Sequence, residues 1–354
     1  MIQYVYSIIA DKRKGFIVNT FKIFLFILSL IYGLVVKLVS FIYGIKPYRL
    51  DCKVISVGNI TLGGTGKTPF VEMLTKYLSE EGHKVAVLIR GYKRKIANYN
   101  FEIPSYLNMG DEAYLLSKNL TKIPVLVGRD RIKNAKIAKE KFDIDTIILD
   151  DGFQHWKLFR DLDIVLVDAK NPFGNGYLIP RGILREPLSS LRRTEIVVLT
   201  KTDSKEDVSL ILEKIRKISP QAKIFKAEYQ PQEFIDISKN RYPLSFIKGK
   251  EICFVCGIAD PDSFESTLND LGVKVILKFV FFDHYEYKET DIKKIIDSCI
   301  KNNVKIIVTT EKDYVRLEGF SERLRSYLFV LRSQMKITED EEGFFGRVDS
   351  LYLS

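Results

Sequence analysis

The chain has 354 residues, 46% of them hydrophobic and 28% charged, which excludes a mainly disordered protein and is enough for two domains with sizeable cores. A formal charge of +10 favours an acidic partner, whether nucleic acid, an anionic membrane surface or a phosphorylated substrate, without choosing among them. The four cysteines, Cys52, Cys253, Cys256 and Cys299, form no framework: Glu251 to Cys256 reads as a strand, where residues three apart face opposite sides, so a zinc or redox pair is disfavoured and a reducing cytosol fits.

Phe16 to Ile45 is apolar and aromatic, with an uninterrupted run from Ile23 to Val36 between Lys22 and Lys37. As a helix that run rises ~21 Å, short of the ~30 Å of hydrocarbon in a bilayer, although the two lysines can snorkel. Lys12, Arg13 and Lys14 on one side and Lys46 and Arg49 on the other make both flanks basic, which suits a monotopic anchor on an anionic leaflet better than a clean span. A signal peptide and a buried core helix compete. No small-residue cleavage site follows, however, and the next motif implies a nucleotide and hence the cytosol.

That motif organises the chain. The β-branched run Val54 to Val57 enters Gly58-Asn59-Ile60-Thr61-Leu62-Gly63-Gly64-Thr65-Gly66-Lys67-Thr68, and helical spacing resumes at Val71, Leu74 and Leu78. Strand, phosphate loop and helix are expected, with Thr61 to Thr68 holding the nucleotide. Glycines at 63, 64 and 66 let successive N–H groups point at phosphate oxygens, Lys67 reaches the terminal phosphates, and the Thr68 hydroxyl ligates Mg²⁺. Thr61 stands where the usual pattern begins with Gly; the bland alternative is a glycine-rich turn with a chance Lys-Thr.

A second strand, Lys84 to Ile89, ends in Arg90-Gly91-Tyr92-Lys93-Arg94-Lys95, placed either for an anionic substrate or as a solvated loop. Gly110-Asp111-Glu112 opens a helix, where acids also serve as ordinary first-turn caps. A strand at Pro124 to Val127 leads through Gly128-Arg129-Asp130-Arg131 to an amphipathic helix ending near Phe142. The strand Asp145 to Asp150 then delivers Asp150 and Asp151 at its carboxyl end, as a Mg²⁺-holding second motif requires. Strands follow at Asp163 to Val167 and Glu195 to Leu199. Between them runs a Gly- and Pro-rich shaped loop, Phe173 to Pro187, whose Arg181 and Arg185 can hold phosphate oxygens bidentately.

Thr200-Lys201-Thr202-Asp203 is similar to the base-reading element of GTPases. After a linker from Ala227 to Lys250 come strand Ile252 to Cys256, helix Pro261 to Leu271, strand Val273 to Val280, helix Lys288 to Asn302 and strand Val304 to Val308, a second α/β run with parallel strands. His284, among aromatics, reads by itself as a packing residue. The expected division is 1–50 as membrane helix and flanks, 51–226 as phosphate-loop domain, 227–250 as linker and 251–354 as a smaller α/β domain.

Taken in order, GNITLGGTGKTP at Gly58 to Pro69, RGY at Arg90 to Tyr92, GDE at Gly110 to Glu112, LDDGFQH at Leu149 to His155, LREP at Leu184 to Pro187, Phe282-Asp283-His284 and TTEKD at Thr309 to Asp313 resemble the tetraacyldisaccharide 4'-kinases of lipid A biosynthesis. The resemblance implies two α/β/α domains with mainly parallel sheets, the first like a P-loop NTPase, and an inner-membrane enzyme facing the cytosol. It implies transfer of the ATP γ-phosphate to the 4'-hydroxyl of a tetraacylated glucosamine disaccharide 1-phosphate, with Mg²⁺. It places Lys67 and Thr68 on phosphates and metal, Asp150, Asp151 and Gln154 near the metal, and Asp111 with His284 as the base dyad; Arg90, Arg131, Arg181 and Arg185, read from their places at strand ends and in loops, are candidate substrate arginines. The family commonly shows D-H-H where this chain has Asp283-His284-Tyr285. The rivals are a membrane-associated P-loop GTPase or ATPase without a lipid acceptor and a membrane scaffold. A partitioning-type ATPase would carry K-G-G, but Leu62 precedes Gly63, and a scaffold leaves the strand-end carboxylates unexplained.

Overall fold

The computed structural model describes residues 8, 11, 13–91, 109–202 and 207–353, so the expectations for Lys12, for Tyr92 to Lys95 and for Asp203 concern residues outside the described ones. The chain forms two compact units: Met1–Arg90, Lys122–Glu228 and Met335–Ser354 make the first, and Gly91–Thr121 with Tyr229–Gln334 the second.

Helix α1 spans Phe16–Ile45, 30 residues or about 45 Å, and stops where Pro47 bars continuation. Its buried residues are Leu25, Ser29, Gly33 and Val36, a single stripe at helical spacing, while Ile17, Leu34, Phe41 and Ile45 are exposed. It is long and apolar enough to cross a membrane by length and composition.

Strand β1 (Lys53–Gly58) is followed by α2 (Lys67–Glu80), β2 (Val85–Ile89), α3 (Asp111–Asn119), β3 (Val125–Val127), α4 (Arg131–Phe142), β4 (Thr146–Asp150), β5 (Leu162–Asp168), β6 (Ile196–Thr200), α5 (Ser209–Ile218) and β7 (Lys223–Asp236). In the first unit the strands run parallel in the order β3-β2-β4-β1-β5-β6-β7. Apolar runs without alternation are what such strands need, because helices cover both faces; β2, β4 and β6 are buried at every position. The chain leaves β1 toward β2 and later returns to β5 on β1's other side, so the carboxyl end of β1 is a topological switch point. Register sets Val57 opposite Asp150, bringing the strand-end acids beside the turn that leaves β1. Gly58 permits this approach, since a Cβ there would lie 2.6 Å from the Phe153 Cβ.

Residues 227–236, read from sequence as the start of a linker, instead continue β7. Beyond it, β8 (Arg241–Pro243), β9 (Glu251–Cys256), α6 (Pro261–Asp270), β10 (Lys274–Val280), α7 (Glu289–Lys301), β11 (Ile307–Thr310), α8 (Glu311–Leu317), α9 (Ser321–Leu324), β12 (Leu328–Glu339) and α10 (Glu341–Asp349) complete the chain. In the second unit β10, β9, β11 and β12 lie side by side and parallel, and β8 pairs antiparallel with residues 233–235 of β7. The core there includes Cys253, Val255, Ile292, Ile295 and Cys299, so the cysteines pack rather than react. Strand β11 begins three residues later than expected because Asn303, at φ 54°, turns the chain out of α7.

The sequence reading assigns no element after Asp313, yet the last segment supports the phosphate-loop helix. Phe344 is fully buried edge-on to Phe70, Phe345 stacks on Tyr77 at 3.8 Å, and the Tyr77 hydroxyl donates to Asp349 at 2.7 Å. Tyr352 stacks on His83 just past the end of α2.

Candidate active site

The turn after β1 is clipped to the shaped loop before β6. The Leu62 amide donates to the Ile183 carbonyl at 2.7 Å and the Arg185 amide to the Ile60 carbonyl at 2.7 Å, so Leu62's N–H is taken and its side chain is exposed. Thr61 is buried in this bridge, which explains how a residue other than glycine holds the position. Thr65 is buried too: its hydroxyl accepts from the Asn59 amide at 3.2 Å, and its carbonyl accepts from the Thr200 hydroxyl at 3.0 Å. Gly66 caps α2 in the left-handed region at φ 83°. Among the described residues, the amides of Gly63, Gly64, Thr65, Gly66, Lys67 and Thr68 donate to no backbone carbonyl. They form a run of N–H groups at a helix start, an anion cradle by geometry and dipole.

Facing that run, Asp151 sits just past β4 at φ 53°. Lys67 Nζ lies 3.6 Å from its carboxylate, and Arg185 grips it with two bonds of 2.7 and 3.0 Å while also donating to the Asn59 side chain. Burial by itself would raise the Asp151 pKa, but Lys67, Arg185 and Arg131 hold it down at about 2. Asp150 is buried beside it. Gln154 donates to the Asn59 carbonyl and to Glu186, both at 2.9 Å, while its own side-chain oxygen is buried with no hydrogen-bond partner.

The four arginines separate. Arg185 joins the cluster directly. Arg131, almost fully buried at the start of α4, points its terminal nitrogens at the main-chain oxygens of Asp150 and Asp151, so it shapes the strand end rather than presenting a free fork. Burial, with Arg90 and Arg185 near, lowers its pKa to about 10. Arg90 is exposed at the end of β2. Arg181 departs furthest from the expectation: it grips Asp11 at 2.7 and 3.0 Å, and Asp11 also pairs with Lys22 at 2.7 Å, so this arginine ties down the entry to α1.

The second unit holds its own cluster. Gly110, at φ 87°, starts α3 and places Asp111 in its first turn. His284 Nδ1 lies 3.1 Å from Asp111 Oδ2, and Arg316 donates to the same oxygen at 2.8 Å. Lys312 Nζ is 3.3 Å from His284 Nε2 and 2.9 Å from Asp283. His284 Nδ1 also lies 3.3 Å from Arg316 Nη2, and its Nε2 lies 3.5 Å from a Glu112 carboxylate oxygen. Burial would raise the Asp111 pKa, but the bonds from His284 and Arg316 bring it to about 2. Behind them Asp313, with no exposed surface, accepts from the Gly257 amide, the Tyr287 hydroxyl and the Thr310 hydroxyl at 2.8–3.0 Å and lies 3.6 Å from Arg316. Tyr285 turns into an aromatic cluster with Phe281 and Tyr287.

Arg316 is absent from the sequence reading. Its signal is weak: it follows Lys312 by four residues and Asp313 by three, a spacing that puts all three on one side of a short helix only once α8 is known to be one. Glu186 and Arg193 were also not singled out; Glu186 is 1% exposed and takes both Arg193 bonds at 2.8 and 2.9 Å while orienting Gln154.

Residues 21–352 match the model of the family described as tetraacyldisaccharide-1-P 4'-kinase. The chain belongs to that family. It is similar to the tetraacyldisaccharide 4'-kinases of Halothermothrix orenii, 39% identical with 83% of each chain covered, and of Elusimicrobium minutum, 37% identical over 94% of this chain and 91% of the other. A solved structure of LpxK from Aquifex aeolicus in complex with ATP superposes with a TM-score of 0.71 at 31% identity, covering 92% of this chain and 97% of that one. The kinase thus has a relative of the same fold over nearly its full length.

Proposed function

We propose that the chain transfers the γ-phosphate of ATP to the 4'-hydroxyl of a tetraacylated glucosamine disaccharide 1-phosphate, the phosphorylation step of lipid A biosynthesis that the family name describes. The observation that carries this reading is the run of unpaired amides from Gly63 to Thr68 facing the Lys67, Asp151 and Arg185 cluster, in a chain matched to that family from residue 21 to 352.

In the reaction the acceptor oxygen attacks the γ-phosphorus, the β,γ-bridging bond breaks, ADP leaves, and the hydroxyl proton passes to Asp111. A sugar hydroxyl is a poor nucleophile at neutral pH, and a carboxylate ready to accept its proton helps as bonding develops. Held at about 2 by Arg316 and His284, Asp111 is in its basic form at any working pH. Lys67 and the loop amides stabilise charge on the transferred group, where most of the catalysis of such reactions lies, while Arg185 helps to hold the nucleotide's phosphates.

Mg²⁺ fits the donors at the first cluster. Thr68, Asp150, Asp151 and Gln154 offer hard oxygens, and the buried Gln154 oxygen without a partner is the position a cation would satisfy. When bound, the ion would neutralise charge on the β- and γ-phosphates.

For location, the reading is monotopic attachment to the cytosolic face of the inner membrane. The Tyr32 hydroxyl donates to the Arg185 carbonyl at 2.9 Å, and Phe26 lies edge-on to Tyr177, so the middle of α1 rests on a polar loop that hydrocarbon would not accept. The exposed face is left for lipid. Incubation of the protein with ATP, Mg²⁺ and the disaccharide 1-phosphate should yield a bis-phosphorylated lipid; ATP hydrolysis with no lipid product would sink the acceptor assignment, and preference for GTP would sink the donor.

A further inference from the structure

Outside this chemistry, aromatic rings and cations gather at the carboxyl end of α1. Tyr43 lies in its last turn and Tyr48 three residues beyond it, both with about two-fifths of their surface exposed. Each ring carries a lysine from elsewhere in the first unit: Lys157 Nζ, from the segment between β4 and β5, sits 4.7 Å from the Tyr43 centroid, and Lys136 Nζ, from α4, sits 5.0 Å from that of Tyr48. Arg49 stacks on Phe159 at 3.5 Å, and Lys46 is exposed beside them in the chain. The scaffold is fixed by backbone bonds, with the Tyr48 amide donating to the Lys157 carbonyl and the Phe159 amide to that of Tyr48, at 2.8 and 2.9 Å.

We propose that this ring of lysines over tyrosines is a headgroup collar for anionic phospholipid, in which Lys136 and Lys157, from outside the helix, hold lipid phosphates. The proposal rests on the membrane reading of α1 and names the chemistry that sets its attitude on the bilayer. Two observations support an anionic bilayer as the occupant. Among the described residues, Lys46, Arg49, Lys136 and Lys157 form no ion pair with a carboxylate within 4 Å. Of the acids nearby, Asp51 is paired with Lys139 at 3.4 Å, and Glu140 is one turn along α4 from Lys136. The collar is also continuous with the exposed apolar surface of α1 at Phe41, Ile42 and Ile45, and amphipathic rings with snorkelling lysines are what the headgroup level selects. Cations at a helix end can merely complement its dipole, but that favours positions over the last carbonyls, whereas these ammonium groups sit over ring faces.

The test is sedimentation of the full chain with vesicles of phosphatidylcholine alone and with added phosphatidylglycerol. At roughly fivefold per lysine near a charged surface, K136Q with K157Q should lower partitioning onto the anionic vesicles by about 25-fold and leave partitioning onto the neutral ones unchanged. Salt should weaken anionic binding of the unaltered chain far more than that of the double variant. A double variant that keeps its preference for phosphatidylglycerol overturns the collar, as does one that loses neutral-vesicle binding equally. If the unaltered chain binds neither vesicle, the membrane reading of α1 fails instead.

Discussion

Two carboxylates of the candidate active site have their pKa values brought to about 2, and they reach that state by different routes. Asp151 of the first unit is held by Lys67 and Arg185, both with side chains 18% exposed and both long enough to move to an incoming polyphosphate. Asp111 of the second unit is held by the half-exposed His284 and by Arg316, 4% exposed, which is itself backed by the fully buried Asp313 and its three donors. The first arrangement is an ion pair whose cations can be recruited by substrate charge. The second is a fixed mount in which one oxygen is aligned. The same perturbed ionisation therefore means exchangeable charge in one place and orientation in the other, and its surroundings rather than its size decide the role.

The largest effects should come from removing the two centres themselves. Lys67→Ala takes a cation from the transferred phosphate and Asp111→Ala takes the proton acceptor, so each should cost on the order of 10²–10⁴ in kcat. Circular dichroism should show both folded. Full activity in either purified variant would remove that residue from the mechanism.

Next in size is a stability effect confined to the fixed mount. Asp313→Leu takes away the inner of the two carboxylates that Arg316 pairs with, leaves the Gly257 amide and the Tyr287 hydroxyl without their acceptor, and should cost about 3–5 kcal/mol in urea unfolding. Asp151→Leu, whose partners reach solvent, should cost far less. Equal losses would erase the contrast between the two clusters.

The arginines sharpen the contrast kinetically. Arg316→Met should act mainly on kcat, about tenfold or more, and Arg185→Met mainly on KM for ATP. The sign of the pH effect follows from the shift: Arg316 lowers the Asp111 pKa, so removing it raises that value, and the acid limb of the kcat/KM profile should move to higher pH. A profile unmoved by Arg316→Met would make that arginine structural only.

Much of this was legible beforehand where local and global signals coincide. The phosphate loop, its flanking strand and helix and the strand-end acids are short-range patterns, and parallel register alone brings Asp150 to Val57. What stayed hidden depends on long-range return of the chain. Arg316 becomes visible only when α8 is folded against α3, where Tyr114 and Lys118 of α3 meet Glu318 just past α8 at 2.7 and 2.8 Å. Arg181 looked like a phosphate ligand because its loop is rich in Gly and Pro, yet its partner is Asp11, 170 positions away. The segment from Ala227 reads as mixed strand and turn, and its continuation of β7 through Pro231 is obscured because polar residues suit a strand only partly buried.

The smallest expected effect concerns how α1 is joined to this machinery. The Tyr32 hydroxyl donates to the carbonyl of Arg185, the residue whose side chain grips Asp151, so one hydrogen bond separates an apolar helix from the exchangeable cluster. Tyr32→Phe removes that bond and keeps the ring, and should cost about 1 kcal/mol. If the helix only tethers the protein, the loss appears as a slightly lower urea midpoint with KM for ATP unchanged. If docking of α1 also sets the loop that carries Arg185, KM for ATP rises by about the same free energy, fivefold or so. The second outcome is the one expected here, because the Arg185 amide and carbonyl are fixed to Ile60 and Tyr32, and releasing one end loosens a guanidinium that must align two bonds at once.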